Sequence, residues 1–286
     1  MKKSLLFKAP VLTASGYGVH SRQILKELLT SEKYDVSVKA LSWGNTSILH
    51  DDNEFLNKIR DLSIKYDMEQ QQQNPPKQYD VSVQVTIPNE FERCAKLNVG
   101  ITAGIEVDLV SPEWIKKANE DIDVLVVPSK HSKDIFENTA YRDQNGNELR
   151  LNKPAFLANE GFDPEFYNTS ELDLDSKFST PFNFLFVGLG VGSELGQERK
   201  NTSSLIKWFC EAFKDREDVG LVLKTGLVNN SLMDFEHTKL KISELKKAAG
   251  VGKFPKIHLV HGRLTDEEMA SLYKDKNVKC FVSLTH

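Results

Sequence analysis

The chain has 286 residues, and ordinary domain sizes predict two domains, each long enough to bury a core. Lys and Arg number 37 against 41 Asp and Glu, a formal charge of −4 that lacks the basic excess of a nucleic-acid binder. Hydrophobic residues at 40% and charged residues at 27% exclude a disordered chain, and no apolar run reaches the roughly 18 residues that span a bilayer.

The first residues, Met1 to Phe7, are basic and then apolar, but Lys8 interrupts the run short of a signal peptide. A cytoplasmic location is expected, and composition leaves a peripheral membrane contact open. Leu5 to Ala9 reads as a strand, residues 10–17 as a loop, and residues 18–29 as a helix. A strand over 36–41 and a helix over 53–65 follow. The glutamine-rich stretch 68–76, closed by Pro75 and Pro76, reads as a surface loop. Strands are predicted at 79–85 and 97–102, a helix near Pro112, and a short buried strand at 124–127. Ser129 is placed to cap a helix over 130–138. A polar hairpin-like stretch at 143–147 precedes a strand near 155–158, and the acidic, aperiodic residues 168–181 read as an interdomain linker.

A second alternating series has strands at 182–187, 220–224, 257–260 and 278–284, with helices at 201–214, 232–249 and 266–273. The expectation is an α/β protein of two Rossmann-like domains with parallel sheets, residues 1–175 and 176–286. The second domain reads as incomplete, because the sequence stops after a strand with no helix to cover it.

Ligands of open α/β sheets collect beyond the carboxyl ends of strands, so the loops leaving the strands carry the candidates. Gly16-Tyr17-Gly18 follows the first strand and opens a helix, where backbone N–H groups face an anion or serve an ordinary tight turn. Gly188-Leu189-Gly190-Val191-Gly192 has Ser193 where a dinucleotide fingerprint needs glycine, which demotes the nicotinamide reading. Arg199-Lys200, an adjacent cationic pair near a helix N-terminus, and Lys224 at the end of the next strand suit a diphosphate. His258 and His261 flank a strand end without a third ligand, so no metal is expected. Cys94, Cys210 and Cys280 are odd in number, far apart and without a CxxC, and read as reduced thiols. Glu106 follows the strand at 97–102 and is the candidate to orient an acceptor hydroxyl or take its proton. Trp114 reads as core.

These stretches together resemble the retaining nucleotide-sugar glycosyltransferases of the GT-B class, in particular glycosyltransferase family 4 and the related group 1 proteins. The matching segments are residues 16–22, 98–108 and 112–114, the strand-to-helix step at 128–132, and Asn159-Glu160-Gly161-Phe162-Asp163 as a hinge element. The resemblance implies an N-terminal acceptor lobe and a C-terminal donor lobe that binds a nucleoside diphosphate sugar without a metal. The acceptor it implies is a glycan or a lipid-linked precursor, as in surface polysaccharide synthesis. Arg199-Lys200 matches the family's Arg-Lys-Gly donor step with Asn201 in place of glycine, and Gly16 to Gly18 would approach the diphosphate from the other lobe. The family's final Glu-containing donor motif lies beyond His286. If the chain ends there naturally, little transfer is expected, and a non-catalytic nucleotide- or sugar-binding protein is the alternative.

Overall fold

A computed structural model describes residues 2–71, 77–142, 144–168, 176–191, 195–196, 198–228, 230–250 and 252–285. It divides into two compact units, Met1–Phe162 and Asp163–His286. The division falls ahead of the expected 175/176 boundary because residues just after it are held by the second unit. Tyr167 packs on Tyr273 with ring centroids 6.2 Å apart, and Lys274 Nζ donates to Asn168 Oδ1 at 2.7 Å. Of the expected linker, residues 169–175 lie outside the described residues.

The first unit runs β1 (Lys3–Ala9), α1 (Gly16–Thr30), β2 (Tyr34–Ala40), α2 (Glu54–Gln71), β3 (Tyr79–Val85), β4 (Ala95–Ile101), α3 (Pro112–Asp121), β5 (Val124–Val127), α4 (Lys130–Asn138), β6 (Ala140–Arg142), β7 (Glu148–Arg150) and β8 (Ala155–Leu157). Its sheet has the order β2-β1-β3-β4-β5-β8 with every pair parallel. The chain moves outward from β1 to β2 and then resumes on the other side of β1, so the topological switch lies between β1 and β3. One core joins Leu5, Phe7, Val36 and Val38 to Leu25 of α1 and Ile59 of α2, and a second gathers Ile115, Leu125 and Phe136. Trp114 packs against the second.

Several local expectations shift. The α1 helix begins at Gly16, two residues early, because Ser15 caps it by accepting from Gly18 N at 2.9 Å. The α2 helix runs on through Met68–Gln71, where a loop was expected, because Glu69 is anchored by Ser37, Lys77 and Tyr79. Residues 72–76 of that loop lie outside the described residues, as does Asp143 of the hairpin-like stretch. That stretch does join an antiparallel pair, β6 with β7. Ser129 caps α4 as expected, accepting from Ser132 N at 3.0 Å.

The second unit runs β9 (Phe182–Val187), α5 (Thr202–Ala212), β10 (Val219–Lys224), α6 (Leu232–Ala248), β11 (Lys256–Val260), α7 (Asp266–Tyr273) and β12 (Val278–Phe281). Its parallel sheet has the order β11-β10-β9-β12, which puts the switch between β9 and β12. Alternate residues of the inner strands feed two cores, Phe186, Leu221 and Leu223 with Ile206 in one, and Leu185 and Val222 with Leu272 in the other. Burial on both faces explains why these strands read as continuous apolar runs rather than alternating ones.

Candidate functional site

In the second unit the loops leaving β9, β10 and β11 are laced together at the carboxyl edge of the sheet. Gly188 N donates to Lys224 O at 3.1 Å, Gly190 N to Gly226 O at 2.9 Å, and Thr225 N to Val260 O at 3.2 Å. Lys224 Nζ donates to Gly262 O at 2.6 Å, and burial pushes its pKa down. A Cβ on Gly188 would lie 3.5 Å from Lys200 Cγ, so the lysine stem crosses the end of β9 beside the strand that ends in Lys224. Arg199 is exposed at the same turn. The structure therefore brings Arg199, Lys200 and Lys224 to one edge. Gly192, Ser193, Glu194 and Gln197 of the intervening loop lie outside the described residues.

The start of α5 is unusual. Asn201 occupies its N-cap in the left-handed region, φ 50° and ψ 36°, which asparagine tolerates best after glycine. That conformation accounts for asparagine at a step where the resembled family has glycine. The Asn201 side chain does not cap the helix; the Glu198 carboxylate accepts from Ser203 N at 2.6 Å instead. Among the described residues Asn201 Oδ1, Thr202 Oγ1 and Thr225 Oγ1 have no hydrogen-bond partner, and they are buried, in residues 5%, 0% and 1% exposed. Buried polar groups are paired in the great majority of cases, and each unpaired one costs about 1–3 kcal/mol. Three such groups on the loops leaving two adjacent strands, beside three cations, fit a ligand rich in hydrogen-bonding oxygens.

In the first unit the β1 loop is built mainly to hold itself. Arg22 Nη1 donates to Val11 O at 2.9 Å and Thr13 O at 2.8 Å. Gly18 is buried, its N–H taken by Ser15, and a Cβ there would sit 2.3 Å from Thr13 O. Tyr17 turns inward: its hydroxyl accepts from Ala103 N at 2.9 Å, lies 3.1 Å from Thr102 Oγ1, and its ring packs on Trp43 at 4.2 Å. Burial raises the Tyr17 pKa against those two hydrogen bonds. Gly16 alone of the three faces open space. One helical turn on, burial lowers the pKa of His20, whose Nδ1 is buried without a partner.

Glu106 is exposed on the loop after β4, whose ends are pinned by Ile105 N on Ser132 Oγ at 3.0 Å and Val110 N on Thr139 Oγ1 at 3.3 Å. His258 and His261 have separate partners, Thr180 Oγ1 at 2.9 Å and Asp234 Oδ1 at 2.7 Å. Among the described residues no group of three His, Cys, Asp or Glu is placed to hold a metal ion, and no helix is long and apolar enough to cross a membrane.

Sequence reasoning singled out Arg199, Lys200 and Lys224, named Asn201 only as a departure from glycine and His261 only as a strand-end histidine, and gave no role to Thr202, Thr225 or Asp234. Asparagine at a glycine step was the one available signal; burial without a partner has no signature in a linear sequence.

No protein-family model and no curated protein matches the sequence. Among solved structures, HepE of Anabaena, determined in complex with UDP and glucose, is similar over 94% of this chain and 71% of its own, at 13% identity and a TM-score of 0.50. An α,α-trehalose-phosphate synthase (UDP-forming) from Burkholderia xenovorans, in complex with glucose-6-phosphate, is similar over 96% of this chain and 77% of its own, at 12% identity and a TM-score of 0.49. The likeness to HepE shows the fold: two Rossmann-like α/β units of the GT-B kind.

Proposed function

We propose that the chain is a nucleotide-sugar glycosyltransferase that holds its nucleoside diphosphate at the carboxyl edge of the second unit. The reading is carried by the three buried, unpartnered polar atoms of Asn201, Thr202 and Thr225 beside Arg199, Lys200 and Lys224. The Thr202 and Thr225 hydroxyls would donate to a donor's phosphate oxygens, and Asn201 Oδ1 would accept from a sugar hydroxyl. The fold shared with HepE, determined with UDP and glucose, supports the same class of ligand.

In this reading transfer proceeds with retention and without a metal. As the bond from the anomeric carbon to the diphosphate breaks, negative charge gathers on the departing oxygen, and the Arg199, Lys200 and Lys224 cations stabilise it where it develops. The N–H groups of Gly16 and Tyr17, at the N-terminus of α1, are a second anion-facing group. Glu106 orients the hydroxyl of a glycan or lipid-linked acceptor and receives its proton. Gly18 allows the tight entry to α1, and the Tyr17 side chain ties that entry to Ala103 and Thr102 instead of facing the ligand.

Calorimetric titration with UDP and GDP, followed by nucleotide release from a panel of nucleotide sugars, tests the reading. Arg199→Ala with Lys200→Ala is expected to weaken nucleotide binding by about 2 kcal/mol or more, roughly 30-fold. Thr225→Val is expected to weaken binding while leaving folding stability unchanged or higher, since it removes a hydroxyl that the protein alone does not satisfy. Equal affinity in all three proteins would remove this edge from nucleotide binding.

A further inference from the structure

The carboxyl edge of the second unit contains a buried pair that the proposed chemistry does not use. Asp234, on the first turn of α6, and His261, the residue after β11, have side chains only 5% and 6% exposed, with His261 Nε2 and Asp234 Oδ1 2.7 Å apart. The same carboxylate accepts from Leu227 N at 3.0 Å and Val228 N at 2.7 Å, and Thr238 Oγ1 approaches Oδ1 at 3.4 Å. His261 is fixed on its other side by Phe235, edge to face at 5.4 Å. An aspartate and a histidine this far out of water are tolerated only when each is paired, as both are here.

What the pair holds is the backbone beside the candidate ligand groups. A Cβ on Gly226 would meet Asp234 Oδ1 at 3.0 Å and His261 Nε2 at 3.2 Å, so the chain immediately after Thr225 lies directly against both side chains. The neighbouring bonds extend from there: Gly226 O accepts from Gly190 N of the β9 loop, and Gly262, next to His261, accepts the Lys224 ammonium. One hydrogen-bonded pair thus joins the loops after β10 and β11, with Thr225 and Lys224 between them.

We infer that Asp234 and His261 are positioning residues that set Thr225 and Lys224 for the nucleotide diphosphate. The pair acts through the 225–228 backbone and does not touch the ligand. The inference rests on the nucleotide-sugar reading, and it adds a cause for the geometry of that site.

The test compares UDP and GDP affinity of the wild-type chain with that of His261→Leu and His261→Gln, well below each melting temperature. Glutamine carries an N–H donor at about the reach of Nε2; leucine fills similar space with none. Loosening the 225–228 backbone that the pair holds is expected to weaken binding by roughly tenfold for His261→Leu, with His261→Gln within about threefold of wild type. A purely structural pair would lower the melting temperature of His261→Leu and leave the affinity of the folded protein unchanged, which would overturn the inference. Should His261→Leu fail to fold, His261→Asn takes its place: its shorter amide falls short of Asp234, so weaker nucleotide binding is expected, and wild-type affinity in folded His261→Asn would also overturn the inference. A wild-type chain that binds neither nucleotide fails the nucleotide-sugar reading itself, a different result from equal affinities among the three proteins.

Discussion

Gly16 and Gly18 look alike in the sequence, two glycines around a tyrosine at the start of a helix, yet their surroundings differ. A methyl group on Gly18 would overlap Thr13 O at 2.3 Å and Thr13 Oγ1 at 2.8 Å, whereas one on Gly16 would meet nothing within 4 Å. Gly18→Ala is therefore expected to destabilise the fold by about 1–3 kcal/mol in urea titrations, while Gly16→Ala stays within about 0.5 kcal/mol of wild type. Equal effects would contradict this packing. The sequence marks a turn of this kind, but which glycine is needed depends on Thr13 and Pro10 folding back against it. Tyr17 illustrates the same limit. Its position beside two glycines suggests a ligand contact, and only the approach of Thr102 and Ala103 from the loop after β4 turns its hydroxyl inward. Arg199, Lys200 and Lys224 could be proposed from the sequence because charge at a helix start or a strand's end is a local property.

The strands other than β6 and β7 were legible as elements because apolar runs of four to seven residues bounded by turn residues are a local pattern, whereas β6 and β7 have three residues each. Their ends and pairings were not. At the amino end of the first sheet, Asp80 of β3 accepts from both Ser4 N and Ser4 Oγ of β1 at 3.0 Å and pairs with Lys96 of β4 at 2.8 Å, joining three strands separated in sequence. The Lys96 ammonium, followed by the two Ser4 bonds, holds the Asp80 carboxyl down to about 2. A carboxyl whose pKa is lower folded than unfolded stabilises the fold above its unfolded value, near 4, and loses that contribution as pH falls through about 2. Asp80→Asn is thus expected to lower the urea midpoint at pH 6, with the difference from wild type vanishing toward pH 2. A difference that stays constant with pH would show that the carboxylate charge plays no part. The extension of α2 has a similar origin, since Glu69 is held by partners on β2 and β3 that the glutamine-rich sequence around it does not reveal.

Across the whole molecule, strand–helix alternation was enough to indicate two parallel α/β sheets, and each sheet places a glycine-containing loop beside its topological switch, after β1 and after β9. The division between the units was harder to read. Ser176 Oγ donates to Asp275 Oδ1 at 2.6 Å, and Tyr167 packs on Tyr273, contacts about a hundred residues apart that tie the start of the second unit to its end. Polarity and a lack of periodicity mark a connecting segment, but not where its contacts lie. The donor-side reading depends on the carboxyl ends of β9 and β10, where unpaired buried groups and cations come together. Hydrogen–deuterium exchange of the 286-residue chain with and without saturating UDP or GDP locates the nucleotide directly. Protection is expected in residues 187–191, 198–204, 224–228 and 261–264. Protection confined to other segments, or none with either nucleotide, would contradict a diphosphate site at the carboxyl edge of the second sheet.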